Sequence, residues 1–399
     1  MTTHGIGSTP NPVWRLRVHN SPSGFGIMKI LLDAHMVGEE ESGNETYVAN
    51  LIRHLQALGL PGSFLLATAH PKALAKIIML DDQFRSVSVS TSSIRRVFYD
   101  LPRIAARERV DVMHVTYAGP PYGHCPLIVS IHDISYKEDP KWFSLKDRLV
   151  LNAGVSATLR RAASVITLSE YSKSRIMQSY AVPARRVMAV PLAADANFRP
   201  IDDTQTIDEK LTRYGIRKPY VLAVGNLQPR KNLSALIQAF ALLTSRGKFP
   251  CQLVIVGKHR WRGSEVQASV ESLNLVGTVV VTGYVPTADL PFLYAGADLL
   301  AYPSLYEGFG LPILEAMACG TPVVTSNVTS MPEVAGDAAI LVDPTSVEDI
   351  AQGLERVLLD ESLRRELSRK GLARASEFSW KKTAQLTYDI YCRVVEMNK

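Results

Sequence analysis

At 399 residues, with 46% hydrophobic and 21% charged residues, the chain is too long for one ordinary core and too apolar for a disordered one, and it fits two α/β domains. A net charge of +6 is too modest for a nucleic-acid footprint, and Cys125, Cys251, Cys319 and Cys392 lack the C-x-x-C spacing of a zinc site or a disulfide framework, so reduced cytosol is the expected compartment. No apolar run reaches the roughly 18 residues that span a bilayer, and residues 1–27 lack the apolar stretch of a secretory signal.

Residues 1–27 carry Pro10, Pro12 and Pro22 among Gly and Ser without a period, and read as a poorly ordered extension. Met28-Lys-Ile-Leu-Leu-Asp-Ala then opens abruptly as a buried strand. A small-residue, acidic loop from Gly38 follows and leads into an amphipathic helix from about Thr46 to Leu58; it is not the G-x-G-x-x-G of a dinucleotide site. Strands are expected at Phe64 to Thr68, Arg85 to Val89, Asp111 to Thr116, Leu127 to Ile131, Val165 to Leu168 and Val187 to Val190. Helical patterns between most of them predict a doubly wound parallel sheet. Arg95, Arg96, Arg103, Arg107 and Arg109 cluster across one such helix; a solvated face is the default reading, and a surface for anionic lipids or a lipid-diphosphate acceptor is the sharper one. His132-Asp133 follows the strand at Leu127, at the carboxyl end where open α/β sheets bind ligands, although a lone His is usually structural.

From about Phe198 to Lys218 the pattern turns polar, which puts the first domain at 28–200 and the second at 201–375. Strands are expected again at Tyr220 to Val224, Cys251 to Val256, Val279 to Thr282, Leu299 to Tyr302, Pro322 to Thr325 and Ala339 to Val342, with helices including Ser234 to Ser245, Ala288 to Ala295 and Val347 to Leu359. Phe378-Ser-Trp-Lys opens a long C-terminal helix, Lys381 to Val395, inside a last segment at 376–399.

The chemistry concentrates in Tyr302 to Pro322. Gly308 and Gly310 punctuate a loop after a strand, Pro312 suits a first helical turn, and Gly320 closes the helix. A helix N-terminus behind a glycine loop offers unpaired N–H groups and a partial positive charge to a phosphate. Glu307 precedes the glycines and Glu315 is read into the first turn; taken alone, one would be solvated and the other would complement the helix dipole.

E-G-F-G-L-P-I-L-E resembles the E-x7-E signature of retaining GT-B glycosyltransferases of the family 4 type, and the resemblance runs from Met28 to the end, strongest after Tyr220. His-Asp-Ile-Ser-Tyr from His132 resembles the H-D-hydrophobic-S/T stretch of the bacterial mannosyltransferase branch, and Gly225-Asn-Leu-Gln-Pro-Arg-Lys-Asn-Leu resembles the family's basic phosphate loop. The resemblance implies two Rossmann-like domains facing a cleft, with the C-terminal helix crossing back onto the first domain and Trp380 as a packing anchor. It implies that Glu315 holds the ribose of a nucleotide sugar, Glu307 and His132 lie at the transferred sugar, and Asp133 orients its loop. Arg230 and Lys231 would neutralise the diphosphate together with the amides of Phe309, Gly310 and Leu311, near Gly225; Ser42 and Gly43 would sit by the donor phosphates, and Gly283 and Tyr284 by the base. No metal and no cofactor beyond the sugar nucleotide is implied, GDP-mannose being the favoured donor. The expected acceptor is a glycan or lipid-diphosphate-linked chain, with cytoplasmic residence and peripheral contact with an anionic membrane at its inner face. A sugar-nucleotide epimerase or hydrolase of the same fold, or a non-catalytic nucleotide-sugar-binding subunit, are the rival readings.

Overall fold

The computed structural model describes residues 27–39, 42–245, 247, 250–258 and 263–398. The extension expected at 1–27 lies outside these residues except for Ile27, and so does the Ser42 side chain.

Two parallel sheets form the frame. The first contains β1 (Lys29–Asp33), β2 (Ser63–Thr68), β3 (Phe84–Ser88), β4 (Val112–Thr116), β5 (Leu127–Ser130), β6 (Ser164–Thr167) and β7 (Val187–Ala189), in the order β3-β2-β1-β4-β5-β6-β7. The second contains β8 (Tyr220–Val224), β9 (Gln252–Val256), β10 (Val279–Gly283), β11 (Leu299–Tyr302), β12 (Val323–Ser326) and β13 (Ile340–Val342), in the order β10-β9-β8-β11-β12-β13. Every residue of β4, β5, β9 and β11 is buried, which explains their continuous apolar runs: helices cover both faces, so no face is left for polar residues. Both domains are therefore doubly wound and Rossmann-like. In each, the strand order reverses beside its first strand, at β1/β4 and β8/β11, where adjacent loops diverge and leave a crevice at the carboxyl ends.

The C-terminal helix Trp380–Glu396 packs on the helix Ser42–Ala57 and on β4 and β6 of the first sheet. Its Trp380 is buried against the His54 ring, and Tyr391 OH meets His114 Nδ1 at 2.7 Å. Among the described residues no helix is long and apolar enough to cross a membrane.

Three local expectations change. The helix expected from Thr46 begins at Ser42, with Glu45 in its first turn accepting the Gly38 N–H at 2.7 Å. The polar stretch after Phe198 contains a helix, Thr204–Arg213, capped by Asp203 and buried through Ile207 and Leu211; its polar side had concealed its apolar stripe. Arg96 leaves the exposed arginine set: it is 6% exposed, with Nε 3.3 Å from Asp33 Oδ2, whereas Arg95, Arg103 and Arg107 remain outside.

Candidate active site

On the second domain the site begins where β8 ends. The chain turns through Pro229–Lys231 and Asn232, whose left-handed backbone (φ 59°) is tied down by side-chain N–H bonds to the carbonyls of Pro303 and Pro344. That turn delivers two cations onto one carboxylate. Arg230 Nη1 lies 2.7 Å from Glu307 Oε2, and Lys231 Nζ lies 2.6 Å from Oε1. Arg230 also donates to the carbonyl of Tyr306 and to Gln228 Oε1, and Lys231 to Tyr302 OH at 2.6 Å. Gly225 leaves the lysine its room, since a Cβ there would meet Lys231 Cε at 3.1 Å.

Glu307 is buried, only 6% exposed, and the Arg230 and Lys231 side chains are largely covered, at 17% and 11%. Burial acts to raise the Glu307 carboxyl, but Arg230 and then Lys231 outweigh it and hold it at about 2, fully ionised at neutral pH. Burial also opposes the charge on Arg230, yet Glu307 raises it; on Lys231 burial wins over Glu307 and lowers it. The geometry thus gathers two largely covered cations on one buried carboxylate, one cation more than the carboxylate balances.

The loop that follows is held by Ser330, whose hydroxyl donates to the carbonyls of Glu307 and Phe309, both at 2.9 Å. Gly310, at φ 104°, makes the left-handed turn into the helix Leu311–Ala318, a conformation other residues adopt only at a cost. The amides of Phe309, Gly310 and Leu311 therefore stand at a helix N-terminus beside the cations. Glu315 lies in the second turn, not the first, so it is too deep to complement the dipole. It instead accepts a 2.8 Å bond from Tyr294 OH, and burial raises its carboxyl to about 7 despite that bond. Gly283 (φ 72°) and the exposed Tyr284 sit apart, at the ends of β9 and β10, with Lys258 Nζ 4.6 Å from the Tyr284 ring centre.

The first domain supplies a neutral wall. His132 follows β5, is 7% exposed, and is lowered to about 4 by burial, against the pull of Asp133. Its Nδ1 lies 2.8 Å from Asn44 Oδ1, and its ring stands edge-on to Tyr47 and Tyr117, at 4.6 and 5.6 Å between centres. Asp133 accepts the N–H and hydroxyl of Ser135, shaping the loop without touching the His132 ring nitrogens. Gly43 is exposed in the first turn of the helix that carries Asn44.

The two domains meet at Gly308. Its carbonyl accepts from Ser169 Oγ at 2.7 Å and Ser172 Oγ at 3.0 Å, and its backbone lies against the His132 carbonyl. Glu333 of the second domain accepts the N–H groups of Glu170 and Tyr171 at the start of the helix Glu170–Tyr180, and Tyr306 packs against Trp142 and Tyr171. The structure therefore brings Arg230, Lys231, Glu307 and the Phe309–Leu311 amides together, with His132 across the domain boundary and Glu315 one helical turn away. Sequence reasoning took Glu307 and the two cations as separate ligand contacts; they are each other's partners. It also missed Asn44, Tyr47, Tyr117 and Tyr294, and of these only Asn44, adjoining Gly43, stood near a signal. Among the described residues no cluster of three or more His, Cys, Asp or Glu side chains is placed to hold a metal ion.

Residues 42–198 match the family model described as Glycosyltransferase Family 4, and residues 205–374 the model described as Glycosyl transferases group 1. The chain is 36% identical over 296 residues to O-antigen chain mannosyltransferase B of Escherichia coli, covering 73% of this chain and 77% of that one. It is 32% identical over 246 residues to the serotype-specific mannosyltransferase WbdA of Escherichia coli, covering 61% of this chain and only 30% of that longer protein. The structure of Anabaena HepE in complex with UDP-glucose superposes with a TM-score of 0.72 at 20% identity, over 91% of this chain and 99% of that one; at this identity it shares the fold.

Proposed function

Since the chain belongs to the family 4 glycosyltransferases and has their GT-B fold, we propose that it moves a hexose, mannose from GDP-mannose, onto a glycan or lipid-diphosphate-linked acceptor in surface polysaccharide synthesis. One observation carries the reading: Arg230 and Lys231 are largely covered, converge on one carboxylate, and lie beside a helix N-terminus, so the site is charged in advance for a diphosphate. The mannose and the polysaccharide draw on the Escherichia coli mannosyltransferases, a nucleotide-sugar donor on the UDP-glucose held by HepE, and GDP on the resemblance of the first domain to the mannosyltransferase branch.

In this mechanism the dominant task is stabilising negative charge as the sugar–phosphate bond breaks through an oxocarbenium-like state. Arg230 gives a planar, directional donor, Lys231 a point charge, and the Phe309, Gly310 and Leu311 amides complete the cradle. Ser42, Gly43 and Gly225 border the phosphates, Glu315 accepts the ribose hydroxyls, and Gly283 and Tyr284 flank the base. Glu307, freed from its cations by the arriving diphosphate, turns to the transferred sugar opposite His132. The fixed cations take the part a divalent metal would otherwise play, and the anomeric configuration is retained.

The acceptor domain works in the cytoplasm against an anionic bilayer. The helical run 93–108 exposes Ile94, Phe98 and Tyr99 beside Arg95 and Arg103, and the helix Leu145–Arg161 exposes Leu145, Leu149 and Val150 beside Lys146. Apolar anchors set among cations suit such a surface.

A panel of nucleotide sugars with mass detection of products tests the proposal. Glycosylated acceptor, undiminished by EDTA, is the expected result; free or epimerised sugar, or binding without turnover, would replace the reading by one of its rivals. Co-sedimentation with phosphatidylglycerol vesicles, lost in Phe98→Ser and Arg103→Glu together, tests the membrane face.

A further inference from the structure

His132 has two buried ring nitrogens with different surroundings. Nδ1 faces Asn44 Oδ1 at 2.8 Å, whereas Nε2 is buried with no hydrogen-bond partner in the described structure. A buried N–H without an acceptor is rarer than a buried lone pair without a donor, so the single proton of the neutral ring belongs on Nδ1, donated to Asn44. Nε2 is then a bare acceptor. The ring cannot turn to exchange the two, because Tyr47 and Tyr117 stand edge-on to it. Tyr47 is itself fixed, its hydroxyl 2.8 Å from Ser130 Oγ, which also meets His114 Nε2 at 2.7 Å.

We propose that Asn44 is a positioning residue: it holds His132 in the Nδ1–H form, so that Nε2 accepts a hydroxyl of the sugar substrate and the site disfavours an analogue lacking that hydroxyl. The proposal rests on reading His132 as a contact of the transferred sugar. A bare buried acceptor has its solvation restored only by a ligand donor, which makes it selective for hydroxyl over hydrogen. Burial keeps His132 neutral against the opposing pull of Asp133. Asp133 on its own loop is turned to Ser135, and His114 behind it is lowered to about 3, chiefly by burial. Across the boundary, the Glu307 charge is taken up by Arg230 and Lys231.

Imidazole nitrogen NMR on the full chain labelled at histidine, with His132→Gln to assign the signal, reads the tautomer without any turnover. The wild type is expected to show His132 protonated at Nδ1 and not titrating near neutral pH. Asn44→Asp places a carboxylate on Nδ1, raises the basicity of the ring and protonates Nε2; kcat/KM should gain an acid limb near neutrality and recover at higher pH. Asn44→Ala should lower kcat/KM about tenfold at every pH without that limb, the size of one buried neutral hydrogen bond. A wild-type ring protonated at Nε2, or both variants keeping the wild-type tautomer and pH profile, overturns the proposal. A wild type that transfers no sugar from any donor, yet shows the Nδ1–H form and loses it in Asn44→Ala, upholds the role of Asn44 in setting the tautomer and removes the transferase reading instead.

Discussion

The two walls of the cleft are built on opposite electrostatic plans. The second-domain wall stores charge, with two cations and a carboxylate locked together out of water; the first-domain wall suppresses it, keeping His132 and His114 neutral among tyrosines. In the proposed transfer, the departing diphosphate carries charge and suits the first kind of wall, whereas the sugar carries only hydroxyls and suits the second. The difference also separates where stability and activity reside. Buried ions whose partners are removed are expensive, while a neutral ring that loses a hydrogen bond loses little of the fold.

The largest expected effect breaks the charged wall. Glu307→Gln leaves the largely covered Arg230 and Lys231 without their counter-charge, and should cost about 3 kcal/mol of stability by denaturant unfolding. With the carboxyl lowered to about 2 from 4.5, the wild type has this contribution in full above the unfolded value and loses it as pH falls toward 2; the variant should lack that part of the acid transition. Added nucleoside diphosphate should restore more stability to the variant than to the wild type, because the anion replaces the missing charge. Equal ligand-free stability of the two proteins would dissolve the contrast between the walls.

Next comes Glu315→Gln, which should weaken nucleotide binding by about 1.5–3 kcal/mol in calorimetry, with turnover at saturation little changed. The same residue gives the pH signature. Its carboxyl is raised to about 7, so below that pH binding must first remove a proton, and nucleotide affinity should rise from pH 6 to 8 and then level off. For the fold the sign is reversed: the protonated acid favours the native state, so this contribution fades as pH rises from 4.5 to about 7. Glu315→Gln should flatten both curves.

The smallest effect concerns the seam. Glu333→Gln keeps an acceptor oxygen for only one of the two N–H donors at the start of the helix Glu170–Tyr180 and removes the charge opposite its dipole, about 0.5–1 kcal/mol. Scattering should show a larger mean radius without ligand and unchanged compaction with saturating nucleotide. No change in either state would mean that Glu333 does not weigh on closure.

Much of this was legible in the chain because parallel strands buried on both faces leave unbroken apolar runs, and because a glycine loop before Pro312 marks a helix start. Arg230, Lys231 and Glu307 were each identifiable, but not as one cluster: Glu307 is more than seventy residues from the two cations in sequence, and nothing local records that β8 and β11 are neighbours. Arg96 misled for the related reason that its partner, Asp33, lies on another element, so a helix-face pattern counted it as solvated. Tyr47, Tyr117 and Tyr294 carry no motif, and their roles come from the atoms they wedge or anchor.

Gly308 sets a clearance for the whole molecule. A Cβ built there would lie 2.2 Å from the His132 carbonyl oxygen and 2.8 Å from Asp133 Cβ, an overlap with main chain that no rotamer change relieves. The atoms it would strike belong to the first domain, so the clash arises where the two domains meet. Gly308→Ala is therefore a doorstop: it should leave both halves folded and the proposed nucleotide site reachable while keeping the two domains apart at this seam, separating a protein that can load its substrate from one that can shut on it.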